Sequence, residues 1–205
     1  IDLQKTFTDK NEYLATQIFE DEVSATPEKL TEIANFAKAC QAKGYKVITT
    51  KLIHDLKKMF RYDKKRLLNQ INKGLIEVSG EGIKPVVGTK EDAVFDFGSS
   101  TFIPNPELIF EKCSRSILKD PQINDYLAKH TFSNIILTGI DTNICIYESA
   151  RDLLATKSFK HVIICTDLVS ARGSEEKDAK NKLLELEQLG AIICLSNQLN
   201  LQTTA

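Results

Sequence analysis

Residues 134–154 read NIILTGIDTNICIYESARDLL. Asn134 to Thr138 is a continuously apolar run without inside/outside alternation, which fits a strand covered on both faces. Gly139 ends it, and a helical pattern follows from about Thr142 to Lys157. The stretch is a strand-to-helix turn, and Cys145 stands in it among small polar residues. A helix start carries roughly half a positive elementary charge, which favours thiolate over thiol. Its first backbone N–H groups lack intrahelical partners and can meet a developing oxyanion. Position alone fits a buried structural cysteine equally well.

The same alternation extends along the chain. Thr26-Pro27 reads as an N-cap with proline at the first helical position; Leu30, Ile33, Ala34, Ala37 and Cys40 recur at helical spacing, and Gly44 stops the run. A short strand is expected over Tyr45 to Thr50. Asp120-Pro121 opens a helix to about His130. The strand HVIICT starts at His161, and a charged amphipathic helix begins at Ser174, carries Leu183, Leu184, Leu186 and Leu189, and closes at Gly190. A last strand, AIICLS, ends near Ser196. This order predicts a single-domain α/β fold over residues 1–205: three layers, with helices on both sides of a mostly parallel sheet. In such sheets ligands sit beyond the carboxyl ends of the strands, and Cys145 lies just past one. The segment from Leu56 to Pro106 is less regular and is expected to hold a helix and long surface connections.

Composition narrows the function classes. The 205 residues carry 27 basic and 28 acidic side chains, a balance with no electrostatic footprint for nucleic acid or an anionic membrane. No apolar run approaches the roughly 18 residues of a membrane span. Five cysteines without a CxxC fit a reduced, cytoplasmic setting. No signal peptide is read, although a start at Ile1 leaves room for an upstream piece. GEGIKPVVGTK (80–90) lacks the GxxxxGK[ST] order of a phosphate loop, and GxGxxG is absent. His54, His130 and His161 are scattered and read as surface or capping residues. The basic run KKMFRYDKKR (57–66) reads as a solvated helix face, with attraction of an anionic substrate as the lesser reading.

TGIDTNICIYESARDLL (138–154) resembles the signature of the isochorismatase-like cysteine hydrolases, a superfamily with nicotinamidases and carbamoyl-amide hydrolases. Thr138-Gly139-Ile140, Cys145-Ile146 and Ser149-Ala150-Arg151-Asp152 carry the likeness, and CTDLVSAR (165–172) resembles a later strand of the family. IDLQKTF (1–7) resembles its opening pattern, and FIPNPELIFEK (102–112) the segment whose strand ends in a lysine. The resemblance implies a triad of Asp2 as general base, Lys112 as the charge-holding ammonium and Cys145 as nucleophile. It further implies an oxyanion hole from the backbone N–H groups of Asp141 and Cys145, a cis peptide at Ile140–Asp141, and Phe7 as an aromatic wall near the substrate. The implied activity is hydrolysis of a small amide or carbamoyl C–N bond through a thioester, by a homo-oligomer without a cofactor. A metal is disfavoured, because Leu52 holds the position where metal-bearing nicotinamidases place an aspartate two residues before the histidine.

Against the resemblance stand plainer readings. A strand-end lysine usually snorkels to solvent, and an N-terminal Asp-Leu-Gln is usually a turn. Asp152 and Asp167 are expected to cap helices or pair with neighbours, and Cys113 to be a packed bystander. Almost nothing precedes Asp2 where the family has an apolar strand, which puts that edge of the sheet in question. The alternative function is a catalytically inactive scaffold or interaction protein. An activated Cys145 is expected to alkylate faster than a model thiol below pH 8; an inactive one is not. A thiol redox role lacks an evident resolving cysteine.

Overall fold

A computed structural model describes residues 1–54, 68–69, 71–74, 76–79, 82–85, 89 and 93–201. Two short helices, α1 (Lys5–Thr8) and α2 (Tyr13–Gln17), precede α3 (Pro27–Ala42). The Thr26 side chain caps α3 by accepting from Lys29 N, with Pro27 in the first turn, as its sequence predicts. Strands β1 (Thr49–Leu52), β2 (Ile76–Ser79), β3 (Gly82–Pro85) and β4 (Ile109–Lys112) lead to α4 (Pro121–Lys129), capped by Asp120. Then come β5 (Asn134–Ile140), α5 (Tyr147–Thr156), β6 (His161–Ser170), α6 (Glu176–Gln188) and β7 (Ile192–Cys194).

The core explains why the strands do not alternate. Leu137 of β5 and Val162 and Ile164 of β6 pack with Ile123 of α4, Leu153 of α5 and Leu186 of α6. Cys165 and Leu168 of β6 instead pack with Leu30 and Ile33 of α3. Both sheet faces are covered, giving the three-layer arrangement. Full burial of each large aliphatic side chain is worth about 1.5–3 kcal/mol.

The sheet comes in two parallel pieces, β1–β4 and β5–β6–β7. Ile1 and Asp2 join them. Ile1 N donates to Thr138 O at 2.8 Å, Ile140 N donates to Ile1 O at 3.1 Å, and Asp2 N donates to Thr50 O at 3.1 Å. The backbone order is therefore β4, β1, Ile1–Asp2, β5, β6, β7, so the edge left in question by the sequence lies inside the sheet. Gly139 makes this possible: its φ is +114°, and a Cβ there would meet Ile1 O at 2.2 Å.

One expectation is corrected. The strand expected over Tyr45 to Thr50 begins only at Thr49, where pairing with Ile109 starts. Residues 45–48 face residues 134–138 across an apolar groove of about 200 Å³ and find no ladder there among the described residues. The irregular middle holds an antiparallel hairpin, β2 with β3, and a bridge from Gln4 to Phe95. Strand β3 falls within the glycine-bearing stretch at 80–90, and the basic run 57–66 lies outside the described residues.

Gly139→Ala should destabilise the fold by roughly 2 kcal/mol, since it adds both strain and a backbone clash. Urea unfolding measures this, and an unchanged midpoint would refute the role given to Gly139. A second expectation concerns pH. Burial pushes the thiols of Cys40 and Cys165 up to about 11 and about 12. Their contribution to stability is whole below the unfolded thiol range, about 8.5, because both states are then protonated. It is lost as pH rises from there toward 11–12, where only the unfolded chain ionises freely. Thermal unfolding should therefore move to lower temperature between pH 8 and 10, and less so in Cys165→Ala.

Candidate active site

Lys112 ends β4 and is wholly buried. Its ammonium lies 2.6 Å from Asp2 Oδ2, a charge contact rather than an aligned hydrogen bond. It also donates to Ser114 O at 3.0 Å and Arg115 O at 3.4 Å, and reaches Cys145 Sγ at 3.6 Å. Asp2 is held from the other side, where Thr50 Oγ1 donates to its Oδ1 at 2.8 Å. Its backbone adopts φ +56°, a left-handed conformation that aspartate tolerates better than most residues. Asp2, Lys112 and Cys145, the three residues that the family resemblance singled out, thus lie together at the carboxyl ends of the strands.

The turn that carries the thiol differs from the expected helix start. Residues Thr142–Ile146 form a single π turn, with Ile146 N donating to Asp141 O at 3.0 Å, and the α-helix begins only at Tyr147. Such wide turns concentrate at functional sites. The peptide between Ile140 and Asp141 is cis. Asp141 and Cys145, the two residues expected to offer backbone N–H groups, bracket this turn.

The thiol pKa also departs from expectation. Burial pushes Cys145 up to about 12; the Lys112 ammonium pulls it down, while Asp2 and Asp141 push it further up. Desolvation wins because the ammonium is already shared with Asp2. With a pKa pushed that high, the sulfur rests as a neutral thiol at neutral pH and not as a standing thiolate. Slow alkylation therefore no longer distinguishes an inactive relative from an enzyme.

A cavity of about 130 Å³ opens onto Asp2 and Cys145, and Phe7 lines it as expected. His54, read from sequence as a surface or capping residue, is instead buried in the wall of this cavity. The reason is local: Ile53 N donates to Lys112 O, which carries the chain past the end of β1 into the site. Leu52, just before it, belongs to β1. Among the described residues no three His, Cys, Asp or Glu side chains cluster as a metal site would require.

Two contributors escaped the sequence reading. Gln4 is fully buried, and its amide accepts from Leu52 N at 2.6 Å and donates to Leu52 O at 3.2 Å, completing the edge of β1. Arg172 donates to Glu175 at 2.6 Å, reaches Asp141 Oδ2 at 3.5 Å and lies 3.9 Å over the Phe19 ring. Burial raises the Asp141 carboxyl, an effect that Arg172 opposes. Both residues stood in motifs of interest, but an isolated Gln or Arg carries no signal of its tertiary partners. Asp152 pairs with Arg151, and Asp167 accepts from Ser196, the pairing expected of them.

Comparison with known proteins agrees with this fold. The model of the Isochorismatase domain matches residues 1–198, so the chain belongs to the isochorismatase family. No curated protein matches it in sequence. Among solved structures it is similar to a cysteine hydrolase from Pseudomonas syringae pv. phaseolicola: TM-score 0.70 at 15% identity, covering 96% of this chain and 86% of that one. It is also similar to a pyrazinamidase/nicotinamidase from Streptococcus mutans, with TM-score 0.63 at 15% identity over 94% and 96% of the two chains. N-carbamoylsarcosine amidase from Thermoplasma acidophilum gives TM-score 0.62 at 18% identity over 97% and 95%. At such identities the likeness is one of fold.

Peptide-mapped labelling with iodoacetamide should find Cys145 slower than glutathione at pH 7–8 and accelerating toward pH 11, given a thiol pushed up to about 12. Fast labelling at neutral pH would show that burial does not govern the sulfur.

Proposed function

We propose that the protein hydrolyses a small amide or carbamoyl-type C–N bond through a thioester on Cys145. The observation that carries this reading is the Lys112 ammonium, 2.6 Å from Asp2 and 3.6 Å from the Cys145 sulfur at a cavity. Asp2 takes the thiol proton as sulfur attacks the carbonyl carbon, so no free thiolate need persist beforehand. Lys112 stays protonated and balances the negative charge that passes between sulfur and carboxylate. The backbone N–H groups of Asp141 and Cys145 meet the tetrahedral oxyanion. Asp2 then returns its proton to the departing nitrogen, releasing ammonia or an amine. A water activated by the same carboxylate cleaves the thioester to the acid. The nicotinamidase and N-carbamoylsarcosine amidase among the structural neighbours support an amide-type substrate.

The raised thiol pKa favours one rival, a fold-keeping scaffold without turnover. An ammonia-release screen over nicotinamide, ureides and N-carbamoyl amino acids decides between them. Cys145→Ala should lower kcat by about a thousandfold or more, and intact mass should show an acyl adduct on the wild type alone. Release that survives Cys145→Ala, or none across the panel, would overturn the proposal. Asp2→Asn and Lys112→Met are less clean, since breaking a buried pair costs about 3–5 kcal/mol of stability.

A further inference from the structure

Three cationic side chains line the cavity over Cys145, Lys73, Arg115 and Arg172, and the Lys112 ammonium lies behind its wall. Their pairing is uneven. Lys112 is matched by Asp2, and Arg172 by both Asp141 and Glu175. Arg115 shares Glu148 at 3.2 Å with Lys119, which stands 4.0 Å from the same carboxylate. Lys73 has no carboxylate partner among the described residues. Among the described residues, the part of the wall formed by Lys73 and Arg115 therefore carries more positive charge than its carboxylate pairs consume.

Arg115 is also fixed in place. Its carbonyl accepts from Lys112 Nζ and from Ser149 Oγ, which ties its backbone to the reacting centre. Among the described residues only Nη1 of its guanidinium is bonded, to Glu148. The other nitrogens keep the planar fork with which arginine grips a carboxylate.

We propose that Lys73 and Arg115 seat an anionic group of the substrate, so that the preferred substrate is a small amide or ureide bearing a carboxylate. This rests on the reading that Cys145 attacks an amide carbonyl. A carboxylate would gain charge-assisted contacts from the exposed Lys73 ammonium and from the unbonded Arg115 nitrogens, contacts that a neutral amide would make only weakly.

The test separates binding from chemistry by using Cys145→Ala protein and calorimetry with succinamate against its uncharged counterpart butyramide. Succinamate should bind about tenfold more tightly, as hydrogen bonds to charged groups warrant. The gap should shrink as salt rises from about 0.05 to about 0.5 M. Adding Lys73→Met or Arg115→Gln should reduce the gap to about threefold or less, each removing one of two charged contacts. Equal affinities, no binding of succinamate, or a preference that survives both substitutions would overturn the anion seat. Wild-type turnover of amides without that preference would leave the thioester reading standing and remove only this inference. Preferential binding without any turnover would do the reverse.

Discussion

Everything near the cavity is arranged around one buried ion pair, Asp2 with Lys112, whose side chains are 2% and 0% exposed. Dehydrating two such charges costs several kcal/mol per ion and is tolerable only where every remaining lone pair and proton is met. Here Thr50 meets the carboxylate, and the carbonyls of Ser114 and Arg115 meet the ammonium. Those partners come from β1 and from the loop after β4, while Asp2 itself lies in the Ile1–Asp2 segment that joins the two pieces of the sheet. The pair therefore holds two sheet fragments in register at the place where they would otherwise part.

The same dryness sets the state of the sulfur. A helix-end thiol in water would lose its proton readily, but within this cavity the low polarity outweighs the ammonium. In the proposed mechanism, proton transfer is then coupled to attack instead of preceding it. A neutral resting sulfur also resists adventitious oxidation, since the thiolate is the oxidisable form.

Sequence displayed the scaffold more clearly than the site. The capped helices α3 and α4 and the unalternating strands β5 and β6 follow from local rules, since Thr26-Pro27, Asp120-Pro121 and the apolar runs act within a few residues. Lys112 and Asp2 had no such local signature; family resemblance alone singled them out, because a strand-end lysine ordinarily reaches for water. The π turn at Thr142–Ile146, the paired edge made by Gln4, and the burial of His54 all depend on neighbours distant in sequence. The strand expected from Tyr45 failed for a related reason: β-branched residues favour extension, but a ladder needs a partner.

The groups that meet at the cavity come from the start, the middle and the final third of the polypeptide. Their union is non-local, and chains dominated by such distant pairings fold comparatively slowly. During synthesis Asp2 must wait for Lys112, 110 residues later (112 − 2), to leave the ribosome, and a further 33 residues for Cys145. A nascent fragment therefore has no assembled triad. In the proposed mechanism reactivity therefore arises only with completion of the fold, which would shield the growing polypeptide from that chemistry.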